Sequence, residues 1–238
     1  MKSNLLKKHA KSFYWASFFL SNDTFNKCSS LYNFCRTLDD IVDDDDKLEV
    51  KKENFYKFKK EFENNDPDNQ IIKDMWSIIN SENISKKIII DLFDGVETDL
   101  EEKVEINSKK DLLVYSYRVA GTVGLMMSKI LKVNNKESLK GAIDLGIAMQ
   151  LTNIARDVCE DKKRRRRYIK SDFSSIKETI YDSEIFYQKS FKSISSITLR
   201  SRFSVIVARR IYKKIGDYIL KQKNIENYNK AGKIYVPL

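Results

Sequence analysis

Proline and glycine are scarce in this chain. Two prolines and seven glycines serve 238 residues, so tight turns have little punctuation and long helices are the natural reading. No apolar run approaches the roughly 18 residues that a membrane-spanning helix needs. Three cysteines, Cys28, Cys35 and Cys159, lack metal-ligand spacing. That argues against a zinc site or a disulfide framework, and the expectation is buried thiols in a reduced cytosol. His9 is the only histidine and, taken alone, reads as a surface residue rather than a catalyst. The opening stretch MKSNLLKKHAKSFYWASFFL is basic, then aromatic, and has no small-residue cleavage site, so no signal peptide is expected. No nucleic-acid-binding signature occurs, and no segment carries the period of a strand.

Charge is abundant. Forty-four Lys and Arg face thirty-four Asp and Glu, a formal net charge of +10. Such a balance suits nucleic acid, an anionic membrane surface or a phosphorylated substrate. The lysines are scattered among Asn and Ile, so part of the excess is compositional. Against this basic background carboxylates gather twice, in Asp39-Asp40-Ile41-Val42-Asp43-Asp44 and in Asp157-Val158-Cys159-Glu160-Asp161. Both clusters place carboxylates four residues apart, about one helical turn, so each pair projects from one face. Two such faces brought together form an oxygen-rich cage for hard divalent cations.

The coarse organisation is helical throughout. Helices are expected at Ser12–Leu20, from Thr24 to about Asp44, after Asp45, at Ile71–Asn80, Ser85–Leu100, Ser108–Leu131 and Ser138–Lys162. Another covers Ser183–Lys221, with a break near Ser195-Ser196. Apolar residues Leu31, Phe34, Leu38, Ile41 and Val42 supply the helical period in the second of these. Asn64–Asn69 is the clearest loop, Asn134-Asn135 a turn, and Ser108 a cap. The expectation is an all-α chain of roughly eight helices, forming a single domain over residues 1–238.

The acidic motifs have polar companions. Tyr32, Arg36, Asp39/Asp40 and Asp43 step along one helix at intervals of three or four. A guanidinium beside metal-binding carboxylates suits a phosphate held from two sides; an ordinary salt bridge on a solvated face is the alternative. Asp43–Asp46 fall near a helix C-terminus, where negative charge is disfavoured and a cation would offset it. In the second motif Gln150, Asn153, Asp157 and Asp161 share a face with Ala142 and Gly146 upstream, and Arg156 sits beside it. A buried polar row needs partners or metal. Leu151, Ile154, Ala155 and Val158 mark the opposite side as core, so this helix is expected to line a cavity on one side. Gly121 and Gly124 within YSYRVAGTVGLMM allow a kink, room for a long apolar ligand, or tight helix packing. Arg164–Arg167 read as a solvated run, a diphosphate clamp or a membrane contact.

Together KSFYWASFFL, LYNFCRTLDDIVDD, YRVAGTVGLMM and DLGIAMQLTNIARDVCED, in this order, resemble the squalene/phytoene synthase family. Asp94–Leu100 is similar to a further family stretch, with Val96 where Met is usual. GTVGLMM and LTNIARDVCED look most like the phytoene synthases. The resemblance implies an isoprenoid-synthase-type helical bundle around a central cavity. It implies head-to-head condensation of two geranylgeranyl diphosphates to phytoene through a cyclopropylcarbinyl diphosphate, with magnesium (manganese as a substitute) and without NADPH. Asp39, Asp43, Asp157 and Asp161 match the metal positions, joined by Asn153. Arg36, Tyr32, Gln150 and Arg156 match diphosphate-site positions. His9, Lys11, Ser12 and Phe13 match an N-terminal substrate flap, Tyr115 an aromatic near the reacting carbons, and Arg210 a distal phosphate-binding arginine. Implied partners are prenyl diphosphates and, peripherally, a membrane, for a cytoplasmic protein that binds no nucleic acid. Two alternatives stay open: a squalene, dehydrosqualene or presqualene diphosphate synthase using farnesyl diphosphate, and a non-catalytic prenyl-lipid-binding assembly protein. The chain is shorter than the family norm between Tyr168 and about Tyr187, as if most of a helix were missing, and Tyr168-Ile169-Lys170 replaces the usual Tyr-Leu-Pro.

Overall fold

The computed structural model describes residues 20–232. Its first helix, α1 (Asn22–Asp43), starts where Ser21 Oγ accepts the Thr24 backbone N–H at 3.2 Å, a side-chain N-cap. Leu31, Phe34, Leu38 and Val42 bury one stripe of it, and the acidic residues fall on the adjoining face. The stripe packs onto α2 (Leu48–Glu63), α3 (Gln70–Ser81, capped by Asn69) and α4 (Lys86–Glu97). Phe34 is the hub of that core, with ring centroids 5.5 Å from Phe58, 5.6 Å from Phe62 and 5.9 Å from Phe93. Such aromatic pairs add about 0.5–1.5 kcal/mol each beyond area burial, which fixes how α1 presents its acidic face.

A 3₁₀ turn (Thr98–Leu100) leads to α5 (Lys109–Ser116, capped by Ser108), a π-helical turn (Tyr117–Gly121) and α6 (Thr122–Ile130). The 28-residue α7 (Lys136–Lys163, capped by Asn135) is the axis of the bundle, packed by α6, α8 (Phe173–Phe191, capped by Asp172) and α9 (Leu199–Leu220). A short α10 (Ile225–Ala231) closes the described chain. The glycines serve close packing: a Cβ at Gly124 would run into the Ala142 carbonyl, and one at Gly146 into the Ala120 carbonyl. The helix also departs from α geometry through the π turn beside Gly121, a feature common near functional sites.

Three expectations need correction. The helix thought to be missing after Tyr168 is present: α8 runs for 19 residues from Phe173, ten residues earlier than the expected start at Ser183. The expected break near Ser195 is there, as a 3₁₀ turn over Lys192–Ser196. Strands do occur: β1 (Val104–Glu105) and β2 (Arg166–Arg167) pair in parallel, Val104 opposite Arg166. Arg165, in the left-handed region at φ 58°, turns the chain from α7 into β2. Two-residue strands are too short to show a period in sequence. The thiols also differ from expectation, since Cys28 is buried, Cys35 half-buried and Cys159 exposed. The expected Ser12–Leu20 helix, except Leu20, lies outside the described residues.

Candidate active site

Two apolar chambers lie side by side. The first, about 290 Å³, has Asp39 of α1, Gln150 and Asn153 of α7 and Tyr212 of α9 among its lining, and extends to Leu131, Val133, Ile194 and Ile197. The second, about 250 Å³, is lined by Phe25, Leu31 and Tyr32, and shares Cys35, Met127, Leu131 and Ala208 with the first. The row of Gln150, Asn153, Gly146 and Ala142 does face a cavity, while Leu151, Ile154, Ala155 and Val158 are buried on the other side.

The first acidic motif is pinned by arginines. Arg36 Nη2 reaches Asp40 at 2.5 Å. Asp43 accepts from Arg166 at 2.6 Å and pairs with Arg164 at 2.8 Å, one carboxylate oxygen each. Arg166 is buried and also donates to the Val42 carbonyl at 2.9 Å. Arg166 is therefore neither a solvated cation nor free for a membrane. The β1–β2 pairing carries it onto the end of α1, where it replaces the missing helix-end cation. In the second motif Arg156 grips Asp157 through two bonds of 2.7 and 2.6 Å, a bidentate pair.

Asp39 and Asp161 behave differently. Asp39 opens onto the first chamber, yet protein crowds it. Desolvation, then the Asp43 carboxylate, raises its pKa to about 7. Desolvation, then Asp157, raises Asp161 to about 7 as well, against the pull of Arg166 and Arg164. Asp99 acts on both of them electrostatically, so the two motifs converge around it. Its own pKa is raised by burial, while Arg166 and the hydroxyls of Tyr168 and Tyr115 oppose the rise. Those hydroxyls donate to Asp99 at 2.5 and 2.8 Å, and their rings stack at 4.8 Å. Asn153 hydrogen-bonds Tyr212, but its Oδ1 is buried without a partner. Among the described residues no three His, Cys, Asp or Glu side chains converge tightly enough to hold a metal as they stand. All four carboxylate oxygens of Asp43 and Asp157 are on arginines instead.

Several expected site residues fall elsewhere. Tyr115 is buried against Tyr168 and Asp99 and does not line either chamber. Arg210 is exposed on the outer side of α9, in an open groove with Arg209, Lys213 and Lys214. His9, Lys11, Ser12 and Phe13 lie outside the described residues. Sequence reasoning missed Asp99, Arg166, Tyr168 and Tyr212 as site members; a Tyr four residues from Ala208 on a cavity-facing helix was the available signal for the last.

A sequence profile of the squalene/phytoene synthases matches residues 6–175. The chain belongs to the squalene/phytoene synthase family. It is 27% identical to a 15-cis-phytoene synthase of Pantoea ananas over 87% of this chain and 77% of that protein. It is also 27% identical to the chloroplastic phytoene synthase 2 of Solanum lycopersicum over 97% of this chain and 83% of the relative. A dehydrosqualene synthase crystal structure superposes with a TM-score of 0.76 at 24% identity, covering 95% of this chain and 94% of that one. A squalene synthase of Alicyclobacillus acidocaldarius gives 0.74 at 17% identity, over 92% and 91%. The fold is that of the isoprenoid synthases, and this family member is a prenyltransferase of the head-to-head type.

Proposed function

We propose that this enzyme joins two geranylgeranyl diphosphates head to head to make phytoene. The observation that carries the reading is the pair of adjoining apolar chambers, the first of which has Asp39 of the first acidic motif and Asn153 of α7 in its lining. Similarity to phytoene synthases of Pantoea ananas and Solanum lycopersicum supports the twenty-carbon substrate.

Magnesium fits the donors present. They are all oxygen, as a hard cation prefers, and a buried Asn153 Oδ1 without a hydrogen-bond partner suits a metal ligand. Asp39, Asp43, Asn153, Asp157 and Asp161 would hold it. Bound there, it would supply Lewis-acid neutralisation of a leaving diphosphate. Arg36 and Arg156 add charge-assisted hydrogen bonds to that group, and Gln150 orients it from the chamber wall. The apolar lining excludes water, which would otherwise quench an allylic cation to an alcohol. Tyr32, at the second chamber, offers an aromatic face to such a cation. Tyr115 and Tyr168 act through Asp99, holding the centre on which both motifs converge. The same reading makes the protein cytoplasmic and peripherally membrane-associated, because its product is an oily hydrocarbon; no helix of the described residues is long and apolar enough to cross a membrane.

The test is incubation with geranylgeranyl diphosphate and magnesium, with and without NADPH, beside a parallel farnesyl diphosphate set, and mass analysis of the extract. A forty-carbon hydrocarbon formed without NADPH supports the proposal. A thirty-carbon product moves the assignment to the farnesyl branch. Product formation abolished by Asp157→Asn supports catalysis at the acidic motifs; no product from either substrate with the protein folded leaves a prenyl-lipid-binding role.

A further inference from the structure

Exposed apolar side chains are concentrated on two consecutive helices. Five of the nine large hydrophobic residues exposed among the described residues are Tyr181, Ile185, Phe191, Leu199 and Phe203, all on α8 and the start of α9. Leu199 is 77% exposed, the most of the nine. The 3₁₀ turn between the helices is pinned by Arg202, which donates to the Ser195 and Ile197 carbonyls at 2.6 and 3.1 Å. Cations border the apolar surface. The Arg209 guanidinium lies 4.9 Å from the Phe191 ring centroid, and its Nε is buried without an acceptor. The open groove it shares with Arg210, Lys213 and Lys214 continues along α9 as far as Asp217, which pairs with Lys214 at 3.4 Å, while Lys213 pairs with Glu184 at 2.6 Å, so the net charge of the groove stays positive. Spacing along that helix places Leu199, Phe203, Arg210 and Lys214 on one side, apolar first and basic after. The inner side of the same segment belongs to the cavity: Ser193, Ile194, Ile197 and Val205 line the first chamber.

We infer that the α8–α9 hairpin is the face by which the enzyme docks on an anionic phospholipid bilayer. Phe191 and Leu199 enter the interface, and the Arg209–Lys214 groove takes lipid phosphate. An apolar edge flanked by cations has the pattern of an interfacial segment, and the net charge of +10 complements an acidic leaflet. One wall then separates the chamber from the lipid, so the hairpin gives an apolar product a route that avoids water. The inference rests on the proposed function for that purpose, but its binding test uses no substrate, so either can fail alone.

The test is vesicle co-sedimentation at low salt, with phosphatidylcholine alone or mixed equally with phosphatidylglycerol. The wild type should bind the mixed vesicles and not the neutral ones. The double variant Phe191→Ser/Leu199→Ser should lose about tenfold in partitioning, and Lys214→Gln about fivefold. Tyr56→Ser/Ile90→Ser, exposed residues elsewhere, should bind within about twofold of wild type. All variants are checked for wild-type circular dichroism and melting. A folded double variant that binds like wild type overturns the inference, as does an equal loss in the control. Equal binding to neutral vesicles removes the groove from it. Gel filtration in which the double variant dissociates a dimer, with vesicle binding intact, would assign the face to a second copy instead.

Discussion

Metal-free protein should lose stability as pH rises from 5 to 8. Asp39 and Asp161 carry folded pKa values of about 7, against about 3.9 for an unfolded Asp. A raised folded value means that the native state holds its proton more tightly. The resulting stability is full below the unfolded pKa and disappears as pH climbs through 7. Between pH 5 and 7 each group changes stability by up to about 2.7 kcal/mol at 1.36 kcal/mol per unit. Asp39 is open to the chamber and Asp161 partly exposed, so solvent screening cuts this to roughly half, about 3 kcal/mol for the pair. For a chain of this size that is roughly 6–12 °C of melting temperature. Glu82, Glu97 and Asp172 have lowered values. Their contribution is lost only as pH falls through those values, below the window tested. The assay is thermal unfolding by circular dichroism at pH 5, 6, 7 and 8 in chelator, repeated for Asp39→Asn/Asp161→Asn. Burial also raises Asp99 and Asp144, which leave a smaller slope of the same sign, so a melting temperature that is flat or rises with pH, or a slope undiminished in the Asn pair, would refute the reasoning.

Three further outcomes follow from the geometry. Arg166→Met removes the buried cation between Asp43 and Asp99 and should cost about 3 kcal/mol in urea unfolding; the exposed Arg164→Ala should cost under about 1 kcal/mol, and equal losses would contradict the distinction. Gly146→Val forces a side chain into the Ala120 carbonyl and should destabilise by about 1–3 kcal/mol; an unchanged midpoint would mean that the helices can separate freely there. Magnesium should bind weakly alone and at least about fivefold more tightly with inorganic diphosphate present, read by calorimetry; equal affinity in both conditions would sink the coupling.

Much of the scaffold was legible because it rests on local rules. The Leu31–Val42 stripe, the cap Ser108 and the two-sided character of α7 all follow from spacing and side-chain chemistry within a turn or two, whereas Asn135 reads in sequence as part of a turn and proves to be the cap of α7. The site was legible where its members share a helix face, as Asn153 and Gln150 do. It was illegible where distant segments meet. Nothing in four consecutive arginines says that Arg166 alone is buried, because a two-residue parallel strand has no period and its partner lies some sixty residues away. Asp99 reads as one more acidic residue until the Tyr115 and Tyr168 hydroxyls are found on it. Arg210 was misplaced for the converse reason: it lies two residues from both Ala208 and Tyr212, which face the chamber, and two residues on a helix are about 200° apart.

The arginines explain how the chain holds its carboxylates together. Asp40, Asp43 and Asp157 each have a guanidinium within 2.8 Å, so repulsion inside each motif is offset by the chain itself. The carboxylates without such a salt bridge, Asp39 and Asp161, are the ones whose pKa values rise to about 7. In the proposed reading, a cation at this centre would compete with protons at Asp39 and Asp161 and with arginines at Asp43 and Asp157. Displaced arginines need a new anion, because an unpaired guanidinium in a half-buried site is costly. On that reading a diphosphate would supply the anion, cation and diphosphate would each remove an obstacle to the other, and the coupling would arise from salt bridges within the chain.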